Sequence, residues 1–197
     1  MSANWSASAE LRAAGVSVRD QFIAESEVRA LLERAQARQA SGEFAAARVG
    51  NSAHLQRRAD IRGDFTCWLR EPLCRAERIL LEELEQLRLE LNREAFLGLF
   101  DTELHYAWYP PGAGYARHLD QPHGNAQRQV SLALYLNIEW EPAAGGMLRI
   151  FHAGDRFQDI EPLAGRLVCF LTPEREHAVL PAHRDRWSVS GWFRARE

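Results

Sequence analysis

The sequence predicts a mainly β chain with bracing helices (α+β), in which N-terminal helices support a barrel or jelly roll. Two observations carry this. After Gly98 the chain breaks into about eight short apolar runs separated by turn residues, the pattern of a closed or double-sheet all-β unit. Before Gly98, two stretches repeat apolar residues at helical spacings of three and four. The length, 197 residues, suits a single domain over 1–197, with helical and loop support over 1–100 and a β core over 101–195. A chain this long buries a core without disulfide staples.

Taken in order, residues 1–14 read as a polar lead-in to a short helix. Val16-Ser17-Val18 suggests a first strand, with a turn near Phe22-Ile23. Val28, Leu31, Leu32 and Ala35 place a helix over about Ala24–Gln39, stopped near Gly42. Residues 45–60 are polar and weakly periodic and read as a mobile loop. Asp60-Ile61-Arg62-Gly63-Asp64 is a charged turn leading into an aromatic strand that ends at Trp68; alone, it would be a surface hairpin with solvated charges. A second long helix spans 72–98, with Leu80, Leu81, Leu84, Leu87 and Leu91 as a core stripe or a dimer seam. The strand runs are Leu104–Tyr109, Tyr115–Asp120, Val130–Asn137, Met147–Phe151, Phe157–Ile160, Arg166–Leu171, His177–Leu180 and Trp187–Phe193. Turns fall at Pro110-Pro111-Gly112, Gly124-Asn125, Gly145-Gly146, Gly154-Asp155 and Ala164-Gly165.

Composition narrows the function. Net charge is −3, and all 24 basic residues are arginine, with no basic stripe for nucleic acid. The three cysteines include no CxxC pair, which indicates a reducing compartment. The first residues lack a basic stretch followed by an apolar one, and no apolar run approaches the ~20 residues of a membrane helix. The expectation is a soluble, cytoplasmic protein, monomer or weak dimer, with no nucleic-acid or membrane partner.

The chemistry gathers at His118-Leu119-Asp120. In extended chain, residues i and i+2 face the same way, so an imidazole and a carboxylate at that spacing can share one cation. His177, 57 residues after Asp120, opens a later strand and supplies a second imidazole. Two histidines and a carboxylate occupy one face of an octahedral ion and leave three positions open, the arrangement of non-haem Fe(II) oxygenases. Arg186 lies nine residues beyond His177. Its guanidinium can hold the far carboxylate of a 2-oxo dicarboxylate whose other end chelates the metal. His54, His105, His123, His152 and His183 lack such partners and read as loop or core residues.

The set His118-x-Asp120, His177 and Arg186-x-Ser188 resembles the 2-oxoglutarate- and Fe(II)-dependent dioxygenases. More narrowly, the chain resembles the prolyl 4-hydroxylases of the hypoxia-inducible-factor type and their bacterial relatives. The further residues that carry this are Asp60-Ile61-Arg62-Gly63-Asp64 with Trp68, Tyr109-Pro110, Gly114-Tyr115-x-Arg117, Tyr135-Leu136-Asn137, Gly145-Gly146-x-Leu148-Arg149-Ile150-Phe151, Asp159-Ile160-Glu161-Pro162 and His177-x-Val179-x-Pro181. The resemblance covers about residues 16–194. It implies a double-stranded β-helix (jelly roll) that uses Fe(II), 2-oxoglutarate, O2 and, as a helper, L-ascorbate (vitamin C). It implies His118, Asp120 and His177 as metal ligands, which with Arg186 form the catalytic set. Arg186, Tyr135, Tyr109, Ser131 and Ser188 would line the 2-oxoglutarate site. Arg62, Asp64, Trp68, Tyr115, Arg128 and Trp192 would shape the substrate pocket or the loop over it, with Trp68 and Trp192 as apolar walls.

The segment from Tyr109 to His118 is one residue shorter than in the animal enzymes, and that from Asp120 to Arg128 one longer, which bears on Tyr115 and Arg128. The lack of an N-terminal zinc-binding extension favours the compact bacterial type, and with it elongation factor Tu as the protein substrate. Three other readings compete. They are a hydroxylase of a free amino acid or other small molecule, a nucleic-acid demethylase, and a non-catalytic jelly-roll ligand sensor. The demethylases' usual second arginine, six residues after the first, is Trp192 here.

Overall fold

A computed structural model of the protein describes residues 5–48, 58, 60–120, 127–154 and 156–196. Among these the chain runs α1 (Ala7–Ala14), β1 (Val16–Arg19), α2 (Glu25–Ala40), β2 (Ala45–Ala46), β3 (Phe65–Trp68), α3 (Arg75–Ala95), β4 (Leu99–Tyr109) and β5 (Tyr115–His118). It continues through β6 (Arg128–Tyr135), β7 (Leu148–Phe151), β8 (Phe157–Ile160), β9 (Leu167–Leu171), β10 (His177–Val179) and β11 (Arg186–Ala195). Each of the eight strand runs read from the sequence is present. The mobile loop expected over 45–60 opens as the short strand β2; residues 49–57 and 59 lie outside the described residues.

The strands form two antiparallel sheets: a seven-stranded one ordered β1-β9-β6-β11-β4-β3-β2, and a four-stranded one ordered β5-β10-β7-β8. This is a jelly roll. The N-terminal part does more than brace it from outside, because β1, β2 and β3 extend both ends of the larger sheet.

Side chains alternate across a strand, so the larger sheet has two apolar faces. Leu104, Tyr106, Val130, Leu132, Leu134, Val189 and Phe193 point outward and pack under the helices with Leu80, Leu84, Leu87 and Leu91. The leucine stripe of α3 is therefore core. Tyr109, Tyr135 and Phe170 point inward and meet Leu148, Ile150 and Val179 of the smaller sheet.

Local chemistry fixes the helices. Ser6 caps α1 by accepting from the Ala9 N–H at 3.3 Å. Glu77 reaches back to the Cys74 N–H at 2.7 Å and starts α3. The same carboxylate is fully buried and accepts the Tyr106 hydroxyl at 3.0 Å, so one residue ties helix to sheet.

Candidate active site

The inward residues of seven strands converge between the sheets. His118 on β5 lies directly opposite His177 on β10, so both imidazoles leave the same face of the smaller sheet. Asp120 follows two residues after His118, and its Oδ1 lies 3.3 Å from His118 Nε2 and 3.6 Å from His177 Nε2. One ligand atom from each of the three falls within 4.8 Å of the others.

Hydrogen bonds orient all three. His118 Nδ1 donates to the Ala116 carbonyl at 2.7 Å, and His177 Nδ1 to the Arg175 carbonyl at 3.3 Å. In each ring the proton then sits on Nδ1, and the Nε2 lone pair faces the centre. On Asp120, Oδ2 accepts the Ser131 hydroxyl at 2.8 Å and the Trp192 indole N–H at 3.0 Å, which leaves Oδ1 for the centre. Burial holds His177 down at about 4, so it is neutral near pH 7. Burial works against the Asp120 carboxylate, but the two histidines and Ser131 outweigh it and keep it ionised. Two imidazoles and one anionic carboxylate, each oriented by an outer bond, fit a divalent transition metal.

A second feature fits a dicarboxylate. Arg186 is 2 % exposed, and its Nε donates to the Gly146 carbonyl at 2.8 Å. Among the described residues no carboxylate pairs with it. Its guanidinium carbon lies 5.2 Å from the Tyr109 ring and 5.0 Å from that of Tyr135, with Ser188 on the same wall. The Tyr135 hydroxyl is buried without a hydrogen-bond partner. A buried cation beside an orphaned hydroxyl is costly unless an anionic ligand answers both. Tyr109 and Tyr135 stay protonated because burial pushes both phenols up.

Around the other side, the charged turn departs from the solvated hairpin that its sequence alone suggests. Asp64 is 2 % exposed and takes Arg62 through two bonds of 2.7 and 3.0 Å. Burial disfavours the Arg62 cation, yet the pairing with Asp64 wins and holds it well above its ordinary value. Arg62 lies 4.7 Å over Tyr115, whose ring stacks on His118 at 3.5 Å. Asp64, Arg62 and Tyr115 thus form a chain that ends on His118.

The structure redistributes several sequence expectations. Ser131 lines the pocket, and its hydroxyl donates to Asp120. Trp192 is more than an apolar wall, since its N–H also fixes Asp120. Trp68 stands behind His105, and Arg128 stacks 3.4 Å over Trp192. His105, which reads as a core histidine in the sequence, lines the pocket, as do Leu148, Phe170, Val179 and Ser190. These were reachable only through the alternation of β4, β7, β9, β10 and β11 once their inward face was known.

A profile described as the 2OG-Fe(II) oxygenase superfamily matches residues 104–194. The human protein Egl nine homolog 1 is 33 % identical over 189 residues, which is 91 % of this chain and 43 % of that protein. The chain thus spans less than half the length of that relative. Among solved structures, a Pseudomonas putida prolyl-4-hydroxylase is 42 % identical with a TM-score of 0.88, covering 97 % of this chain and 98 % of that one. A Trichoplax adhaerens prolyl hydroxylase, in complex with a hypoxia-inducible-factor oxygen degradation domain peptide fragment, is 26 % identical with a TM-score of 0.86, covering 95 % and 87 %. With the triad, the unpaired buried arginine and a near full-length match on both sides, the chain belongs to the 2-oxoglutarate/Fe(II) oxygenase superfamily, in its prolyl 4-hydroxylase family.

Proposed function

We propose that the protein is a prolyl 4-hydroxylase that acts on a proline within a protein, with elongation factor Tu as the first candidate. The observation that carries the reading is the pairing of the His118–Asp120–His177 cluster with the unpaired, buried Arg186 in one pocket. Bound by the three ligands, Fe(II) with 2-oxoglutarate and O2 supplies the oxidising chemistry that turns a prolyl C4–H into C4–OH, with release of succinate and CO2.

The chain's own residues do the rest. His118, Asp120 and His177 would hold the metal. Arg186, with Tyr135, takes the far carboxylate of 2-oxoglutarate and fixes its direction, and Tyr109 contacts its metal-binding end. Leu148, Phe170 and Val179 make the pocket floor apolar and limit bulk water there. Arg62, Tyr115 and Trp192 border the open side, where an extended peptide would lie. The peptide in the Trichoplax relative's structure supports a polypeptide over a small molecule.

The test is incubation of elongation factor Tu with the protein, Fe(II) and 2-oxoglutarate, followed by peptide mass spectrometry. The expected result is a +16 Da prolyl residue, absent with Arg186→Gln. Turnover of free proline with no modified protein would favour the small-molecule reading instead.

A further inference from the structure

One pocket residue has no task in the site described above. His105 stands on the inward face of β4, paired across the sheet with Ser190 on β11 and Trp68 on β3. It is 5 % exposed, and its ring is gripped between Trp68, with centroids 4.9 Å apart, and Trp192, at 5.5 Å. It is not part of the metal cluster. Its Nδ1 is buried with no hydrogen-bond partner.

The neighbours that could answer it are committed elsewhere. Arg62 and Asp64 take each other in two bonds. The Asp120 Oδ2 is occupied by Ser131 and Trp192. A buried imidazole with an unmet nitrogen costs stability, and aromatic packing alone would be served better by an apolar side chain. The fold keeps a hydrogen-bonding group in the pocket wall where, among the described residues, no protein group bonds its Nδ1.

We infer that His105 is a specificity-determining residue that donates an imidazole N–H to a main-chain carbonyl of the substrate at the target proline. The chemistry of the substrate selects this role. A peptidyl proline has no N–H, so the polar groups it offers are carbonyl acceptors. A neutral imidazole carries one N–H donor and meets that need. The two tryptophans fix the ring's plane, so the donor is oriented before substrate arrives. The inference rests on the proposed function, because it presumes a prolyl substrate.

The test compares wild type, His105→Leu and His105→Gln, each loaded with redox-inert Zn(II) and 2-oxoglutarate, in binding to elongation factor Tu by biolayer interferometry. Fe(II)-dependent hydroxylation is measured in parallel. The expected result is about tenfold weaker binding by His105→Leu, the scale of one hydrogen bond. KM for the protein should rise by the same factor, with kcat unchanged. His105→Gln keeps a donor and should recover most of the loss. Affinity for 2-oxoglutarate should be equal in all three. Equal binding by wild type and His105→Leu overturns the role of His105 and leaves the proposed function standing. A loss in both variants that tracks weaker 2-oxoglutarate binding likewise overturns it, by showing a merely structural part. Absence of both binding and hydroxylation by wild type overturns the substrate reading and this inference with it.

Discussion

At the scale of single residues, the site depends on bonds that hold ligands in place as much as on the ligands. Asp120 offers one oxygen inward because Ser131 and Trp192 occupy the other. Trp192→Phe keeps an aromatic ring beside Arg128 and His105, although a smaller one, and removes the N–H that Asp120 accepts. Loss of an outer-shell bond of this kind lowers metal affinity by about 10- to 100-fold. We expect that range for Fe(II) or Zn(II) by metal titration, beside a modest loss of stability from the smaller ring. His118, Asp120, His177 and Arg186 were legible in the sequence because strand spacing and ligand type constrain them. The Trp192 bond to Asp120 was not, since its partner is 72 residues away and only the register of β11 against β6 brings them together. His105 was hidden for the same reason. Nothing in its local sequence separates a core histidine from a pocket histidine until the inward face of β4 is known.

At the scale of elements, turns place the chemistry. Gly146 has φ +71°, and a side chain there would crowd Trp140, Ala182 and the Arg186 Cδ at 3.0–3.3 Å. That turn aims its carbonyl at the Arg186 Nε and so fixes the guanidinium. The glycine pair was visible in the sequence, but its tie to Arg186 was not. The segment around Arg62 likewise looked like a solvated hairpin because charge is the only local signal in Asp60–Asp64. Its burial comes from pairing with the strand before His118: Gly63 N–H donates to the Gly114 carbonyl at 2.9 Å, and Ala116 N–H to that of Ile61 at 2.8 Å. Removing one member of a buried ion pair strands the other. Asp64→Ala should therefore cost about 3 kcal/mol in urea unfolding, with Arg62 left 19 % exposed and uncompensated. The double variant Arg62→Leu/Asp64→Ala should cost clearly less than the sum of the two single changes, a coupling of about 1–3 kcal/mol. Additive losses would show that the two side chains act independently.

At the scale of the whole molecule, substrate recognition and stability pull against each other at His105, and pH exposes the conflict. Burial foremost, with the Arg62 cation next, lowers its pKa from the ordinary 6.5 to about 4, while Asp64 and Asp120 oppose the shift and Arg128 adds to it. Between these values the unfolded chain takes up a proton on this histidine and the folded chain does not. The unfolded state binds more protons there, so stability falls as pH drops from 6.5 towards 4. The full gap corresponds to roughly 3 kcal/mol, and about 2 kcal/mol of it is gone by pH 5. His105→Leu removes both this term and the unmet nitrogen. In the metal-free protein, that variant should be at least as stable as wild type at pH 7, since an unsatisfied buried polar group costs about 1–3 kcal/mol. At pH 5 it should be more stable than wild type by about a further 2 kcal/mol. Urea midpoints at the two pH values measure both differences. A variant less stable than wild type at pH 7, with a parallel pH response, would mean that His105 is held by packing alone. A variant that is more stable yet binds substrate more weakly would show a residue kept for recognition at a cost to the fold.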